Sequence, residues 1–166
     1  MSAGPRTRVP FRRRREGRTD FRRRLKLLKG GLPRAVVRRS LQNTTVQIVE
    51  YDSHGDNVIA CAFSKELRQH GWTAGTGNVP AAYLTGLLAG KRAKSKGVTS
   101  AVMDIGLSSP TPGSRVFASL KGLLDSGIEI PHDEGVLPKP DRLQGSHIGE
   151  NVMQAFKEVK SKLEAA

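Results

Sequence analysis

Arginine is the residue type whose distribution along this sequence most directly indicates a binding function. Residues 1–40 hold 13 Arg and two Lys, against only two acidic residues, Glu16 and Asp20. Residues 41–166 hold 13 basic and 13 acidic residues, so the whole net charge of +13 lies in the first quarter of the chain. A planar guanidinium group can bind two phosphate oxygens at once and can stack on a base. The segment therefore predicts a bound polyanion, and the simpler alternative is a solvated, disordered tail.

The side chains that commonly catalyse reactions or bind metals are, by contrast, isolated from one another. Asp104 ends an apolar stretch, and a carboxylate there more often accepts hydrogen bonds from a neighbouring loop than acts in catalysis. Cys61 is interpreted as a small buried side chain. The four histidines are scattered, and no His or Cys pair has zinc-ligand spacing. We therefore predict no catalytic residue, no metal site, no cofactor and no small-molecule substrate.

The loop IGLSSPTPGSRVF, residues 105–117, is a second candidate for phosphate binding, because it follows a predicted strand and leads into a predicted helix. It lacks the lysine of a P-loop. Ser114 is a plausible N-cap of the helix, and backbone N–H groups at such a helix start could hold an RNA phosphate. Ser114 and Arg115 are therefore candidate RNA-binding residues.

The basic segment itself divides into two parts. Residues 1–18 have no apolar periodicity and are expected to be disordered without a partner. Thr19 or Asp20 can cap a short helix that ends at two glycines. Phe11 and Phe21 could each stack on an unpaired base, but the spacing of Phe21 favours an anchor toward the core. The apolar stripe predicted to dock this helix consists of Phe21, Leu25 and Leu28.

The rest of the chain predicts a mixed sheet. Stretches rich in β-branched residues predict strands over residues 34–40, 45–51 and 57–63, and the turn residues between them predict an antiparallel meander. The third strand is apolar on both faces, which predicts cover on both sides of the sheet. A fourth strand over residues 100–105 follows a helix that begins near Asn78, and such a crossover favours parallel pairing.

Further amphipathic helices are predicted over residues 114–127 and 150–165. The helix near Asn78 carries a row of small residues that suggests close backbone packing on the sheet, namely Ala82, Gly86 and Gly90. The predicted fold class is α/β or α+β, with three antiparallel strands plus a fourth parallel strand, packed by amphipathic helices, a basic N-terminal extension and a C-terminal helix. The predicted parts are a basic RNA-binding extension over 1–32, a sheet-and-helix core over 33–131, and a proline-containing loop with C-terminal helices over 132–166.

Three motifs make the sequence similar to a known family. They are GPRTRVPFRRRREGRTDFRRRLKLLKGGLPR, YLTGLLAGKRA and DIGLSSPTPGSRVFASLKGLLDSGIEIPH, in this order along the chain. They resemble the signatures of the archaeal and eukaryotic large-subunit ribosomal proteins that bind 5S ribosomal RNA, the ribosomal protein L18 family. The short length of the chain resembles the archaeal form. The last helix, from Glu150 on, matches nothing in these signatures.

The resemblance implies a structural role in the cytoplasmic large ribosomal subunit, in translation. It implies binding to 5S rRNA in the central protuberance, and contacts with the large-subunit rRNA and a neighbouring 5S-binding ribosomal protein. The loop over residues 108–115 has a weaker claim on RNA or a neighbour. The family's RNA-contacting segment maps onto Arg6, Arg8, Arg12, Arg13, Arg14, Arg15, Arg18, Arg22, Arg23, Arg24, Lys26 and Lys29.

Other interpretations are less well supported. A nuclease of the ribonuclease-H type resembles this strand order, but such enzymes place an acidic metal ligand on the first strand, and RAVVRRS carries none. A DNA-binding chromatin protein would also be basic. An Arg-rich start can mark an organelle transit peptide, although consecutive arginines and two early prolines make a poor amphipathic helix. The longest nearly apolar run, residues 79–90, is too short to span a bilayer, so we expect no membrane partner.

Overall fold

The structure is a computed structural model that describes residue 4 and residues 8–165. Arg6, one of the predicted RNA-binding residues, lies outside these residues. The strands are β1 (Arg34–Arg39), β2 (Thr44–Glu50), β3 (Asn57–Phe63) and β4 (Val102–Asp104). The α-helices are α1 (Arg12–Arg15), α2 (Phe21–Leu28), α3 (Val79–Lys94), α4 (Arg115–Asp125), α5 (Pro140–Gln144) and α6 (Glu150–Ala165). Short 3-10 helices span Ser64–His70 and Glu134–Val136.

The four strands form one mixed sheet in the order β3-β2-β1-β4. β1 and β2 pair antiparallel, with Ala35 opposite Ile48, and β2 and β3 also pair antiparallel. β1 pairs with β4 in parallel, with Arg34 opposite Val102. The predicted fold class is therefore confirmed, including the parallel pairing of the strand that follows the long helix.

One face of the sheet carries the core. Ala35, Val37, Val46 and Ile48 alternate along β1 and β2 and are fully buried, because they face the layer of helices. β3 lies at the edge of the sheet, where only every second residue of its C-terminal half is buried. The prediction that the third strand is covered on both faces was wrong, because an apolar composition alone does not distinguish an edge strand from a central one.

Helices α3 and α4 make the closest backbone contact in the core. A Cβ atom added to Gly86 would lie 2.2 Å from the carbonyl oxygen of Ser119, and one added to Gly122 would lie 2.2 Å from that of Tyr83. The row of small residues on α3 therefore permits close packing, as its spacing indicated. The partner was predicted wrongly, however, because Gly86 faces helix α4 rather than the sheet.

The C-terminal helix α6 packs into the same cluster of buried side chains as the sheet. The Phe156 ring lies 5.5 Å from that of Tyr83 on α3. Lys162 donates a hydrogen bond of 3.2 Å to the carbonyl of His70, which ties α6 to the first 3-10 helix. The predicted helix is confirmed, and its buried stripe consists of Val152, Ala155, Phe156, Val159 and Leu163. The division of the chain at residues 32 and 131 stays a prediction.

Within the described residues, every helix is too short or too polar to cross a lipid bilayer.

Candidate nucleic-acid interface

Helix α2 carries part of the basic segment and has a defined position beside the sheet-and-helix core, which we refer to as the body. The Oδ1 atom of Asp20 accepts hydrogen bonds from the backbone N–H groups of Arg22, at 3.0 Å, and Arg23, at 3.1 Å. Asp20 is therefore the N-cap, one of the two caps that the sequence predicted. A single helical turn, α1, precedes it in a stretch for which the sequence predicted disorder.

The orientation of α2 differs from the predicted one. Phe21 and Leu25 of the predicted docking stripe are 37% and 57% exposed, so neither is packed in the core. Leu28, the third residue of the predicted stripe, is half-buried, as is Leu27. The stripe prediction was therefore wrong for Phe21 and Leu25, because a charged contact beside Leu28 also holds α2 to the body.

That contact is a chain of ion pairs that connects α2 to the sheet. Arg24 on α2 donates two hydrogen bonds through Nη2 to the carboxylate of Asp56, at 3.0 and 2.9 Å. Asp56 also accepts from Nη2 of Arg34, at 2.6 Å. Arg34 in turn donates through Nη1 to Asp104, at 3.0 Å, and Asp104 pairs with Arg38, also at 3.0 Å. We refer to Arg24, Asp56, Arg34, Asp104 and Arg38 as the ion-pair chain.

Both carboxylate oxygens of Asp104 accept hydrogen bonds. The residue is 7% exposed and also accepts a hydrogen bond of 2.9 Å from the backbone N–H of Gly106. The prediction that this carboxylate accepts hydrogen bonds from a neighbouring loop is confirmed. Metal-dependent nuclease chemistry needs several converging carboxylates, whereas Asp104 converges with two guanidinium groups.

A cleft of about 1230 Å³ separates α2 from the loop that follows β4. Its floor includes the C-terminal end of β1 and residues 104–110. Basic side chains line it from both sides, and acidic ones contribute only Asp20 and Asp104. The basic residues that line this cleft are Arg13, Arg18, Arg23, Arg24, Lys26, Arg38, Arg39 and Arg115. A cleft with this lining attracts an anion.

The predicted RNA-binding residues differ in how much of their charge is already paired. Arg24 belongs to the ion-pair chain, whereas Arg12 and Arg18 flank Glu16 at 3.4 and 3.2 Å in exposed pairs. Arg23 lies 3.6 Å from Asp20. Exposed pairs of this kind are weak and exchange readily for other anions. The predicted residues of the basic segment that make no ion pair within the described residues are Arg8, Arg13, Arg14, Arg15, Arg22, Lys26 and Lys29.

Ser114 and Arg115 have mainly internal contacts. Arg115 donates through Nη1 to the carbonyl oxygens of Ser40, at 3.0 Å, and Gly77, at 2.8 Å, so it ties two loops together. Ser114 occupies the N-cap position of α4, but its side chain makes no capping hydrogen bond and its Oγ is buried. RNA binding by these two residues stays a prediction.

Sequence reasoning missed Arg38 and Arg39. Both are exposed at the end of β1 and line the cleft, and Arg39 makes no ion pair among the described residues. They were assigned only to a strand. The signal that could have identified them is a pair of arginines where an apolar strand ends, since a strand end lies at the surface.

Comparison with known proteins places the chain in a family. The family model described as "Ribosomal large subunit proteins 60S L5, and 50S L18" matches residues 5–99 and 93–133. The chain belongs to this family. It is an archaeal L18-type structural protein of the large ribosomal subunit, so ribosomal RNA and ribosomal proteins are its partners.

The relatives are proteins named large ribosomal subunit protein uL18. The one from Haloarcula marismortui is 54% identical over 150 residues, which are 90% of this chain and 80% of the relative. The one from Halobacterium salinarum is 53% identical over 150 residues, 90% of this chain and 82% of the relative. The one from Korarchaeum cryptofilum is 54% identical over 148 residues, 89% and 76% of the two chains.

For this L18-type protein, we predict that Asp56 fixes the position of α2. Replacing Asp56 with asparagine removes the charge that holds Arg24, so α2 should detach more often and trypsin should cleave within residues 22–29 several times faster. The matched control is Asp52→Asn in the same turn, whose carboxylate accepts hydrogen bonds, among the described residues, only from Ser53 and His54. Equal cleavage rates for the wild type and Asp56→Asn would show that Leu27 and Leu28 suffice for docking.

The same contact should depend on pH. Partial burial raises the pKa of Asp56, but the hydrogen bonds and charges of Arg34 and Arg24 lower it further, so the pKa lies below its ordinary value. A carboxylate with a lowered pKa stabilises the folded state above its ordinary pKa and loses that contribution as the pH falls through the folded value. Cleavage of the wild type should therefore approach that of Asp56→Asn only in strong acid, which an acid-tolerant protease such as pepsin can measure.

Proposed function

We propose that this protein binds 5S rRNA and anchors it in the central protuberance of the large ribosomal subunit. The observation that carries the proposal is the position of α2, which the ion-pair chain holds beside a cleft lined by basic side chains. The cations of residues 8–29, apart from the partly buried Arg24, are exposed around it. The family signatures in the sequence support 5S rRNA, rather than another polyanion, as the ligand.

The geometry favours binding through phosphates. Most of the cations are exposed arginines on a helix and the turn before it, where the guanidinium groups can pair with phosphate oxygens on two sides. Such contacts position the protein but carry no base sequence, so selectivity comes from the shape of the folded RNA. The proposed contacts are Arg8, Arg12 to Arg15, Arg18, Arg22, Arg23, Lys26 and Lys29, with Arg6, Arg24, Ser114 and Arg115 as further candidates.

Arg24 has a different part in this proposal. Its guanidinium is bound by Asp56, and its side chain is 35% exposed. It therefore positions α2, and it contacts RNA only with the N–H groups that Asp56 leaves free. Arg38 and Arg39 join the proposed interface from the opposite side of the cleft. The large-subunit rRNA and a neighbouring 5S-binding ribosomal protein are the further proposed partners, in the cytoplasmic ribosome.

Salt dependence tests the proposal. If the segment neutralises about eight phosphates, the logarithm of the association constant should fall with the logarithm of salt concentration with a slope of about −6. Filter binding of folded 5S rRNA across a salt series measures this slope. A nearly flat response would contradict phosphate binding.

Competition then tests the identity of the ligand. Folded 5S rRNA should displace labelled 5S rRNA at concentrations at which transfer RNA and duplex DNA of similar length do not. Equal displacement by duplex DNA would favour the chromatin-protein alternative. Incubation of labelled RNA with the protein and magnesium should leave the RNA intact, and cleavage would revive the nuclease alternative.

A further inference from the structure

The apolar side of α2 lies open on an otherwise cationic surface. Phe21 and Leu25, four residues apart, lie on one face of the helix. Phe11, from the stretch before α1, packs its ring 6.2 Å from that of Phe21, with the ring planes tilted by 44°. The Phe11 side chain is nonetheless 76% exposed. We refer to Phe11, Phe21 and Leu25 as the apolar stripe.

The position of α2 keeps this stripe exposed. Leu28, seven residues after Phe21, is half-buried at the C-terminal end of the same helical face, and Arg24 holds α2 to the body through Asp56. Phe21 borders the cleft and is 37% exposed, whereas Leu25 and Phe11 are 57% and 76% exposed, so the outer part of the stripe is open to a ligand. An exposed phenylalanine that packs on a second ring beside an anchored helix indicates a binding surface rather than an incomplete core.

The charges beside the stripe decide what can occupy it. Arg22 and Lys29 lie three residues before and four residues after Leu25, so they border the stripe on one side. Arg14 and Arg15 follow Phe11 by three and four residues, and their backbone N–H groups donate to its carbonyl oxygen at 2.9 and 3.0 Å. Neither Arg22 nor Lys29 makes an ion pair within the described residues. The ligand must therefore combine a flat apolar face with negative charge a few ångströms away.

We propose that the apolar stripe stacks an unpaired base of the bound RNA, a proposal that rests on the RNA-binding function above. A base in a continuous duplex has both faces covered by its neighbours, whereas an unpaired nucleotide offers a free face next to its own phosphate. The phosphate would lie among Arg14, Arg15 and Arg22. The protein thus selects folded RNA with unpaired nucleotides over plain duplex.

The ring geometry identifies which surface receives the base. A base inserted between two rings needs about 3.4 Å on each side and roughly parallel ring planes. The 6.2 Å separation and 44° tilt of Phe11 and Phe21 leave no such slot. The base therefore stacks on the outward face of Phe11, and Phe21 supports that ring from behind.

The test compares two RNAs that carry the same number of phosphates, a blunt RNA duplex and a duplex with an internal loop of unpaired adenosines. The wild-type chain should bind the looped RNA about tenfold more tightly. Phe11→Ala should abolish this preference and leave the affinity for the duplex unchanged. Val9→Ala, which removes another exposed apolar side chain from the same segment, should keep the preference.

A second variant gives a readout that a purely structural role would not change. Phe11→Trp should keep the preference for the looped RNA, and the fluorescence of the introduced indole should be quenched by that RNA and not by the duplex. The natural Trp72 is 2% exposed and contributes a constant background.

The outcomes separate the two proposals. If the wild type binds both RNAs equally but with the steep salt dependence, the stacking proposal fails and phosphate binding stands. If Phe11→Ala weakens both complexes equally, Phe11 only positions the basic segment, and the stacking proposal fails. If the wild type binds neither RNA, the proposed function fails as well. Equal quenching of the indole by both RNAs would place a phosphate backbone, or a different partner, on the stripe.

Discussion

Replacing Asp104 with asparagine is expected to lower the free energy of unfolding by about 3 kcal/mol. The carboxylate is buried and contacts the guanidinium groups of Arg34 and Arg38. The substitution preserves the shape of the side chain and removes its charge. Arg34, which is 3% exposed, would then keep only Asp56 as a counter-ion. A buried cation that loses a counter-ion destabilises a protein by more than the intact pair stabilises it.

Urea-induced unfolding measures this effect. The midpoint should fall while the dependence on urea concentration stays unchanged, since the same surface is exposed on unfolding. The control is Glu164→Gln, which removes an exposed pair with Lys160 at 3.6 Å and should change the stability by less than about 0.5 kcal/mol. If Asp104→Asn unfolds at the wild-type midpoint, β4 is held by its backbone pairing and the buried pair adds nothing.

The strands and their pairing could be predicted from the sequence because each depends on local patterns. β-branched residues marked β1, β2 and β3, and the turn residues between them fixed the antiparallel order. The helix before β4 forced a crossover, which fixed the parallel pairing. Asn78 was identified as the cap of α3, and its Oδ1 accepts from the backbone N–H of Ala81 at 2.8 Å. These signals act over a few residues, so a single sequence displays them.

The docking of α2 could not be predicted because its cause is not local. The apolar spacing of Phe21, Leu25 and Leu28 is typical of a helix that packs on a core. Of these three residues Leu28 alone is half-buried, and the helix is also held by Arg24 and Asp56, which are 32 residues apart. A run of basic residues does not indicate which of its members has a carboxylate partner elsewhere in the chain. The same holds for Arg34 and Asp104, 70 residues apart.

The packing of the α3 glycines could be predicted from the sequence only in part. Their spacing indicated that another backbone approaches the helix, and the 2.2 Å separation at Gly86 bears this out. The spacing does not say which element approaches. Gly122 on α4 is the complementary signal, because it removes the side chain that would otherwise meet Tyr83. Two glycines on separate amphipathic helices together indicate that the two helices pack on each other. One of these glycines alone does not distinguish packing on a helix from packing on a sheet.

The largest effect on RNA binding is expected from the four arginines of α1. Replacing Arg12–Arg15 together with alanine should weaken binding about a hundredfold at physiological salt, because about four phosphate contacts and their released counter-ions are lost. The slope against salt concentration should become less steep by about 3. None of the four is buried, so the unfolding midpoint should stay at the wild-type value.

Two further variants separate geometry from charge. Replacing the same four residues with lysine keeps the charge and the salt slope, but it loses the planar fork that meets two phosphate oxygens, so the affinity should fall only a few-fold. A control variant removes the same charge from the body by replacing four exposed cations with alanine. Its four positions are Lys65, Lys139, Arg142 and Lys157.

The control variant distinguishes direct contact between α1 and the RNA from a non-specific attraction of the RNA by the net charge of the protein. If the arginines of α1 contact RNA, the body variant should keep the wild-type salt slope and lose affinity only slightly, since charges beyond about 10 Å are screened at this ionic strength. If both alanine variants lose affinity and slope equally, binding follows net charge alone. The position of α2 beside the cleft would then have no role in recognising the RNA.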